Sequence, residues 1–212
     1  MMFKNKSVKA YYRDCGKGIS PHNWRVYWCR LRGWPSFLYQ SKRIADTVRK
    51  IKALGISGAV LDAACGSGQI LKHLPLESVG IEINPNHAKT AQKNAPQAKV
   101  IRGDIERIPY PENSFDWLLA TEIFEHLPES KPVVKELWRV LKKGGQLIVT
   151  VPTRHWLWRL RFLGSAMYAT EPQCLSFDKK SLLFLFSQYQ YKIKQLKKIA
   201  WGLNYFLVLE KT

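Results

Sequence analysis

Residues 58–70 read GAVLDAACGSGQI, an apolar run that ends in an acid and then a pair of closely spaced glycines. Its small and β-branched side chains predict a strand that is buried on both faces. Gly66 and Gly68 allow a tight turn that a ligand can approach closely. We predict that a helix opens at Gln69, so that free backbone N–H groups and the positive end of a helix dipole converge at the turn. The pattern indicates a nucleotide-type binding corner, although Leu71 stands where the dinucleotide fingerprint has its third glycine.

The length and composition of the chain predict one α/β domain with a substantial core. The chain has 212 residues, of which 46% are hydrophobic, and no apolar run is long enough to cross a membrane. The basic N-terminus lacks the apolar core of a signal peptide. The 4 cysteines form no Cys-x-x-Cys pair, so we expect reduced thiols with neither a zinc site nor a disulfide framework. Together these features predict a cytoplasmic protein.

The formal net charge of +18 is distributed unevenly along the chain. Residues 1–52 contain 13 Lys and Arg against 2 acids, residues 53–150 contain 11 against 11, and residues 151–212 contain 10 against 3. Six of the 8 tryptophans also lie outside the neutral central block. We therefore expect a neutral binding core with basic, aromatic-rich additions at both ends.

Apolar residues recur at helical spacing over residues 36–54, which predicts an amphipathic helix. Its apolar positions are Phe37, Leu38, Ile44, Ala45, Val48, Ile51 and Leu54, and its predicted wet face carries Lys42, Arg43, Arg49, Lys50 and Lys52. Further strands are predicted at residues 78–84, 99–104, 115–120 and 146–151, helices at 85–94, 130–141 and 179–187, and a closing hairpin at 191–199 with 203–209.

Three separated stretches follow the pattern of one known family. Residues 61–68 read LDAACGSG, residues 109–117 read PYPENSFDW, and residues 136–152 read ELWRVLKKGGQLIVTVP. The first resembles motif I of the class I S-adenosylmethionine-dependent methyltransferases. The other two resemble connections that are typical of the type 11 subfamily. The chain is therefore similar to this subfamily over residues 56–152, and more weakly outside them.

The resemblance implies a Rossmann-like three-layer sandwich with a seven-stranded, mostly parallel sheet and an antiparallel C-terminal hairpin. It also implies S-adenosylmethionine as the cofactor, with Asp62, Gly66 and Gly68 at its methionyl part. Glu82, at the end of the second predicted strand and about twenty residues past the turn, is placed to accept both ribose hydroxyls. The remaining candidate cofactor contacts are Asp104 and Ile105 at the adenine, together with Ala63, Ile83 and Thr121.

We expect a single methyltransferase domain over residues 1–212 with four parts. These are 1–55, a basic helical arm or lid; 56–152, the cofactor-binding core; 153–178, a basic aromatic insertion over the acceptor site; and 179–212, a closing helix and hairpin. Relatives often carry a histidine in the insertion, where this chain has Cys174.

The phrase E-x-x-E-H at Glu122, Glu125 and His126 allows three interpretations. His126 can act as a general base, with Glu122 also facing the acceptor. The three side chains can instead hold a divalent cation, as in related O-methyltransferases. The third alternative is a structural role for the loop. Our candidates for catalysis are Glu122 and His126, and we assign no metal.

The acceptor is predicted from the basic, aromatic flanks. A small or lipid-like molecule, methylated at oxygen or carbon, is the first choice, with peripheral contact to an anionic membrane. RNA is the alternative, because a basic surface with stacking aromatics suits it equally well. The residues that leave the fourth strand, 120–123, do not form the (N/D)-P-P-(Y/F/W) motif of many amino-directed nucleic-acid enzymes. A binding module without activity is the least favoured alternative.

Overall fold

The protein is described by a computed structural model that covers residues 34–155 and 175–212, with side chains from residue 38 onward. Seven strands form one sheet in the order β3-β2-β1-β4-β5-β7-β6. Strands β1 to β5 run parallel, whereas β7 runs antiparallel to both β5 and β6. The predicted mostly parallel sheet with a C-terminal hairpin is therefore confirmed. The strands are β1 Val60–Ala63, β2 Val79–Glu82, β3 Lys99–Arg102, β4 Phe115–Thr121, β5 Leu141–Pro152, β6 Tyr191–Ile199 and β7 Asn204–Lys211.

Helices cover both faces of the sheet. They are α1 Trp34–Ala53, α2 Pro85–Asn94, α3 Lys131–Val140 and α4 Lys179–Phe184. The first two pack on one face, and α3 and α4 pack on the other. Within β4, Leu118 lies in the core layer under α3 and its neighbour Leu119 in the layer under α1, as the alternation of a strand requires. This arrangement is the predicted three-layer sandwich.

The loops that matter for function leave the sheet at one edge, which we call the carboxyl edge because strands β1 to β5 all end there. Parallel pairing puts the ends of β1 and β2 side by side, with Ala63 opposite Ile81. The predicted helix start after β2 is confirmed: Asn84 accepts hydrogen bonds from the backbone N–H groups of Asn86 and His87, and Pro85 follows it.

Two elements differ from the sequence prediction. The helix expected from Gln69 is a 3₁₀-helix of three residues, Leu71–His73, and Pro75 stands two residues beyond its end. Strand β5 starts at Leu141, directly after α3, rather than at residue 146. The extra residues form a bulge, since Phe115 pairs with Leu141 but Trp117 pairs with Gln146.

The orientation of α1 also differs from the prediction. Arg43 was expected on the wet face, but its side chain is largely buried and makes an ion pair. Leu38, expected on the apolar face, is 45% exposed, whereas Asp46 and Thr47 are buried. The helix packs on the sheet and beside the β6–β7 connection, where its Asp46 accepts a hydrogen bond from the backbone N–H of Ala200.

Residues 1–33 of the predicted arm over 1–55, and residues 156–174 of the predicted insertion over 153–178, with Cys174, lie outside the described residues. The proposed division of the chain into parts thus stays a prediction. No helix within the two described ranges combines the length and the apolarity needed to cross a membrane.

Candidate functional site

The glycine turn after β1 has two glycines with different surroundings. Both have positive φ, of 55° at Gly66 and 78° at Gly68. A Cβ added at Gly66 would meet no atom within 4 Å. At Gly68 it would lie 3.0 Å from the Cα of Ala91 in α2. Gly68 is therefore required for packing, whereas Gly66 borders open space at the carboxyl edge.

Glu82 is held rigidly at the end of β2. Its Oε2 accepts a hydrogen bond of 2.9 Å from the backbone N–H of Gly66, and its Oε1 accepts one of 2.8 Å from that of Asn84. The residue is only 6% exposed. Each carboxylate oxygen keeps a second lone pair, so the group is oriented and still able to accept two hydroxyl donors.

Asp62 is buried without a hydrogen-bond partner. It is 1% exposed, and neither carboxyl oxygen has a partner. Burial, and to a smaller extent the neighbouring Glu82 carboxylate, raises the pKa of Asp62 to about 8. A buried carboxyl with two unsatisfied oxygens is costly. Its position at the open glycine turn indicates that a ligand with N–H donors completes this site.

The other predicted cofactor residues lie on neighbouring segments of the carboxyl edge. Asp104 is half-buried, and its Oδ1 accepts from the backbone N–H of Glu106 at 3.0 Å, which closes the turn after β3. Ile105 packs into the core layer under α3. Ala63 is fully buried, while Ile83 and Thr121 are half-buried. The structure thus brings the ends of β1, β2, β3 and β4 to one edge, as predicted.

Glu122, predicted to face the acceptor, is the centre of a polar network. It has a φ of 56°, a rare value for a residue with a side chain. Its Oε1 accepts from the hydroxyl of Thr150 and from the amide of Asn204, both at 2.8 Å, and its Oε2 pairs with Arg43. The Tyr39 hydroxyl also donates to Asn204. The carboxylate therefore connects α1, β5 and β7.

Arg43 remains charged in this network despite its burial. Burial by itself would lower the pKa of the Arg43 guanidinium, but the adjacent Glu122 carboxylate offsets this effect and holds the pKa above its usual value. Sequence reasoning missed Arg43, Tyr39 and Asn204. The spacing of Tyr39, Arg43 and Asp46 along one side of α1 was the signal that could have revealed a polar contact.

Glu125 and His126 lie on the 3₁₀-helix Phe124–His126, which follows β4. Glu125 is buried, and burial followed by the nearby Glu122 raises its pKa well above the usual range. Burial therefore favours the neutral form of this carboxyl. The Nε2 of His126 lies 3.8 Å from the Glu125 Oε1. In the described ranges, no group of three or more His, Cys, Asp or Glu side chains is placed to share a metal ion.

Comparison with known proteins identifies the family. Residues 61–149 match the family model described as "Methyltransferase domain". The chain is 34% identical over 151 residues to a sterol 24-C-methyltransferase of Aspergillus fumigatus, a match that covers 66% of this chain and 40% of the relative. It is 35% identical over 97 residues to 2-methyl-6-phytyl-1,4-hydroquinone methyltransferase of Synechocystis, covering 42% of this chain and 30% of the relative.

The fold has close counterparts among solved structures. Magnesium protoporphyrin IX methyltransferase from Synechocystis, solved with bound SAH, superposes with a TM-score of 0.75 at 14% identity, over 97% of this chain and 100% of that one. The chain spans less than two thirds of the sequence relatives that it matches. Motif I at the glycine turn and the matching family model agree, and residues 61–149 form a methyltransferase domain of the class I S-adenosylmethionine-dependent methyltransferases, type 11 subfamily.

Proposed function

We propose that this protein transfers the methyl group of S-adenosylmethionine to a small or lipid-like acceptor, at oxygen or carbon. The observation that carries the proposal is the buried, unpartnered carboxyl of Asp62 beside the rigidly held carboxylate of Glu82. The ammonium group of S-adenosylmethionine would supply donors to the Asp62 carboxyl. Its two ribose hydroxyls would donate to the remaining lone pairs of the Glu82 carboxylate.

The residues at the carboxyl edge fit this cofactor in chemical type. Asp62 would accept from the ammonium of the methionyl part, and the open space at Gly66 admits it. Glu82 would accept from the ribose hydroxyls, and Asp104 from the amine of the adenine. The bound sulfonium supplies an already activated methyl group, so the protein has to align the acceptor and exclude water.

On the acceptor side we assign different roles to Glu122 and His126. Glu122 is committed to Arg43, Thr150 and Asn204, so we propose that it shapes the wall of the acceptor site. His126 is half-buried, and its Nε2 lies 3.8 Å from the Oε1 of Glu125, whose pKa is raised by burial. We propose that its imidazole takes the proton when the acceptor is a hydroxyl.

A lipid-like acceptor is supported by the names of the two sequence relatives, a sterol and a phytyl-hydroquinone methyltransferase. Because the chain spans less than half of either relative, the acceptor class is a proposal for this protein. RNA is the competing outcome of the test.

Incubation with methyl-labelled S-adenosylmethionine tests the function. We expect label in the organic phase of a total lipid extract, and a fall of about 100-fold in the rate for His126→Gln, because the loss of a general base typically costs that much or more. Calorimetry should show that this variant binds the cofactor as the wild type does. Label that accumulates in added RNA would contradict the acceptor class, and absence of cofactor binding would contradict the whole proposal.

Cofactor binding should release a proton below about pH 8, because the Asp62 carboxyl is protonated in the free protein and ionised against an ammonium group. The Kd should therefore fall as the pH rises towards 8, by up to about tenfold per pH unit. Calorimetry at about pH 6.5 in two buffers of different ionisation enthalpy measures the release. Asp62→Asn should bind more weakly and release no proton. Equal release from both proteins would exclude Asp62 as the source.

A further inference from the structure

The connection between β6 and β7 presents a tryptophan in a strained backbone conformation. Residues 200–203 form this connection, and we call it the Trp201 turn. Ala200 and Trp201 have φ values of 49° and 57°, in the left-handed region that is unfavourable for residues with a Cβ and most of all for bulky ones. Trp201 is nevertheless 61% exposed. Strain of this kind persists only where the surrounding structure enforces it, and it is concentrated at functional sites.

Three hydrogen bonds hold the Trp201 turn in place. The backbone N–H of Ala200 donates to the Oδ2 of Asp46 in α1 at 3.0 Å. The Thr153 hydroxyl donates to the carbonyl of Gly202 at 2.9 Å, and the Thr153 N–H donates to the carbonyl of Leu203 at 2.8 Å. The backbone is therefore fixed from two sides, while the indole points away from the core.

The Trp201 turn lies at the carboxyl edge, beside the proposed acceptor site. Antiparallel pairing places Asn204, the first residue of β7, opposite Pro152 at the end of β5. The amide of the same Asn204 donates to Glu122. A surface that the indole contacts would accordingly face the side of the molecule from which an acceptor enters.

Cations surround the Trp201 turn. The Asp46 carboxylate that holds Ala200 also pairs with Lys42 at 2.6 Å and with Arg49 at 2.9 Å, so two cations accompany one acid. Lys198 lies 5.8 Å from the ring centre of Tyr205, and both Lys197 and Lys198 are exposed. The aliphatic Leu38 is exposed on α1, one residue from Tyr39, which reaches Asn204. An exposed indole and an aliphatic side chain among lysines suit the headgroup level of an anionic bilayer.

We propose that the Trp201 turn inserts its indole into the surface of an anionic membrane and so brings the acceptor site to the lipid phase. The inference rests on the proposed lipid-like acceptor. We favour a bilayer over RNA because Leu38, the exposed apolar side chain on α1, is aliphatic and has no ring on which a base can stack. The rigid turn acts as a preformed wedge, which avoids an ordering cost on binding.

Sedimentation with phosphatidylcholine vesicles that contain about 30% phosphatidylglycerol tests the proposal. We expect Trp201→Ala to weaken vesicle binding at least about tenfold, because it removes most of the inserted apolar area. Phe184→Ala is the matched control, since Phe184 is a 73% exposed aromatic in α4, on the opposite face of the sheet from α1. The control should bind as the wild type does. Binding should also weaken as salt is raised, because exposed lysines contribute to it.

Trp201→Gly separates a functional role from a structural one. Glycine relieves a positive φ, so this variant should melt at an equal or higher temperature while losing vesicle binding. Unchanged vesicle binding of Trp201→Gly and Trp201→Ala would overturn the proposal, as would wild-type binding to RNA in preference to these vesicles. Cofactor affinity by calorimetry should be unchanged in both variants. If the wild-type protein did not bind the cofactor, that result would contradict the proposed function and not the membrane proposal.

Discussion

Replacing Glu82 with alanine is expected to raise the Kd for S-adenosylmethionine at least about 100-fold. The carboxylate is proposed to accept two ribose hydroxyls, and each hydrogen bond to a charged group contributes about 1.5–3 kcal/mol. The change would also release the backbone N–H groups of Gly66 and Asn84, which Glu82 now holds at 2.9 and 2.8 Å. The glycine turn would thus lose its hydrogen bond to β2, and the proposed ribose contact would be lost as well. Isothermal titration calorimetry measures the effect.

Glu129→Ala is the control for this experiment. Glu129 is an exposed acid beyond the 3₁₀-helix after β4, so the variant has the same change in charge without a change at the turn. It should bind the cofactor as the wild type does. A Kd for Glu82→Ala within about threefold of the wild type would show that the ribose is held elsewhere, since two such hydrogen bonds exceed that difference.

The two glycines of the turn should respond to alanine in different ways. Gly68→Ala should lower the free energy of unfolding by about 2–3 kcal/mol, because the new Cβ would lie 3.0 Å from the Cα of Ala91, at a φ of 78°. Gly66→Ala should cost only about 1 kcal/mol, because its Cβ meets no protein atom and the cost is that of the left-handed conformation. Its methyl group would nevertheless occupy the space proposed for the methionyl part, and cofactor binding should be lost. Urea unfolding and calorimetry measure the two quantities.

Gly55 provides a matched control for backbone strain. It has a φ of 61° and open space at its Cβ position, and it lies just after α1 rather than at the turn. Gly55→Ala should therefore lose about the same stability as Gly66→Ala and keep cofactor affinity. Wild-type affinity in Gly66→Ala would show that the cofactor does not approach this backbone.

Much of the fold follows from local pattern. The strands β1 and β4 are short, mostly apolar runs, and such runs are recognisable because both faces of a parallel sheet are covered. The start of α2 was also predictable from the sequence. Asn84 accepts hydrogen bonds from free N–H groups of the first turn, and Pro85 has no N–H group that needs a partner. The start of β5 was misplaced by five residues, because its bulge depends on pairing with β4.

The candidate site also has some residues that the sequence predicted and some contacts that only the structure revealed. Asp62 was predicted from the resemblance of residues 61–68 to motif I, and Glu82 from its place at the end of the second strand after the glycine turn. The sequence could not indicate that Arg43 pairs with Glu122, since 78 intervening residues separate them and both were assigned to other surroundings. Likewise, the strain at Trp201 cannot be seen in a sequence, because φ is set by the contacts on either side of the turn.

The sequence by itself determined the strand, the glycine turn and the neighbouring acids of the proposed cofactor site, since these depend on side-chain patterns within a few residues and on the shared edge of a parallel sheet. Only the tertiary structure decided which face α1 buries, how Glu122 is held and where Trp201 is exposed. Those features arise from contacts between segments far apart in the chain, and the side that a helix or turn presents depends on the surface against which it packs.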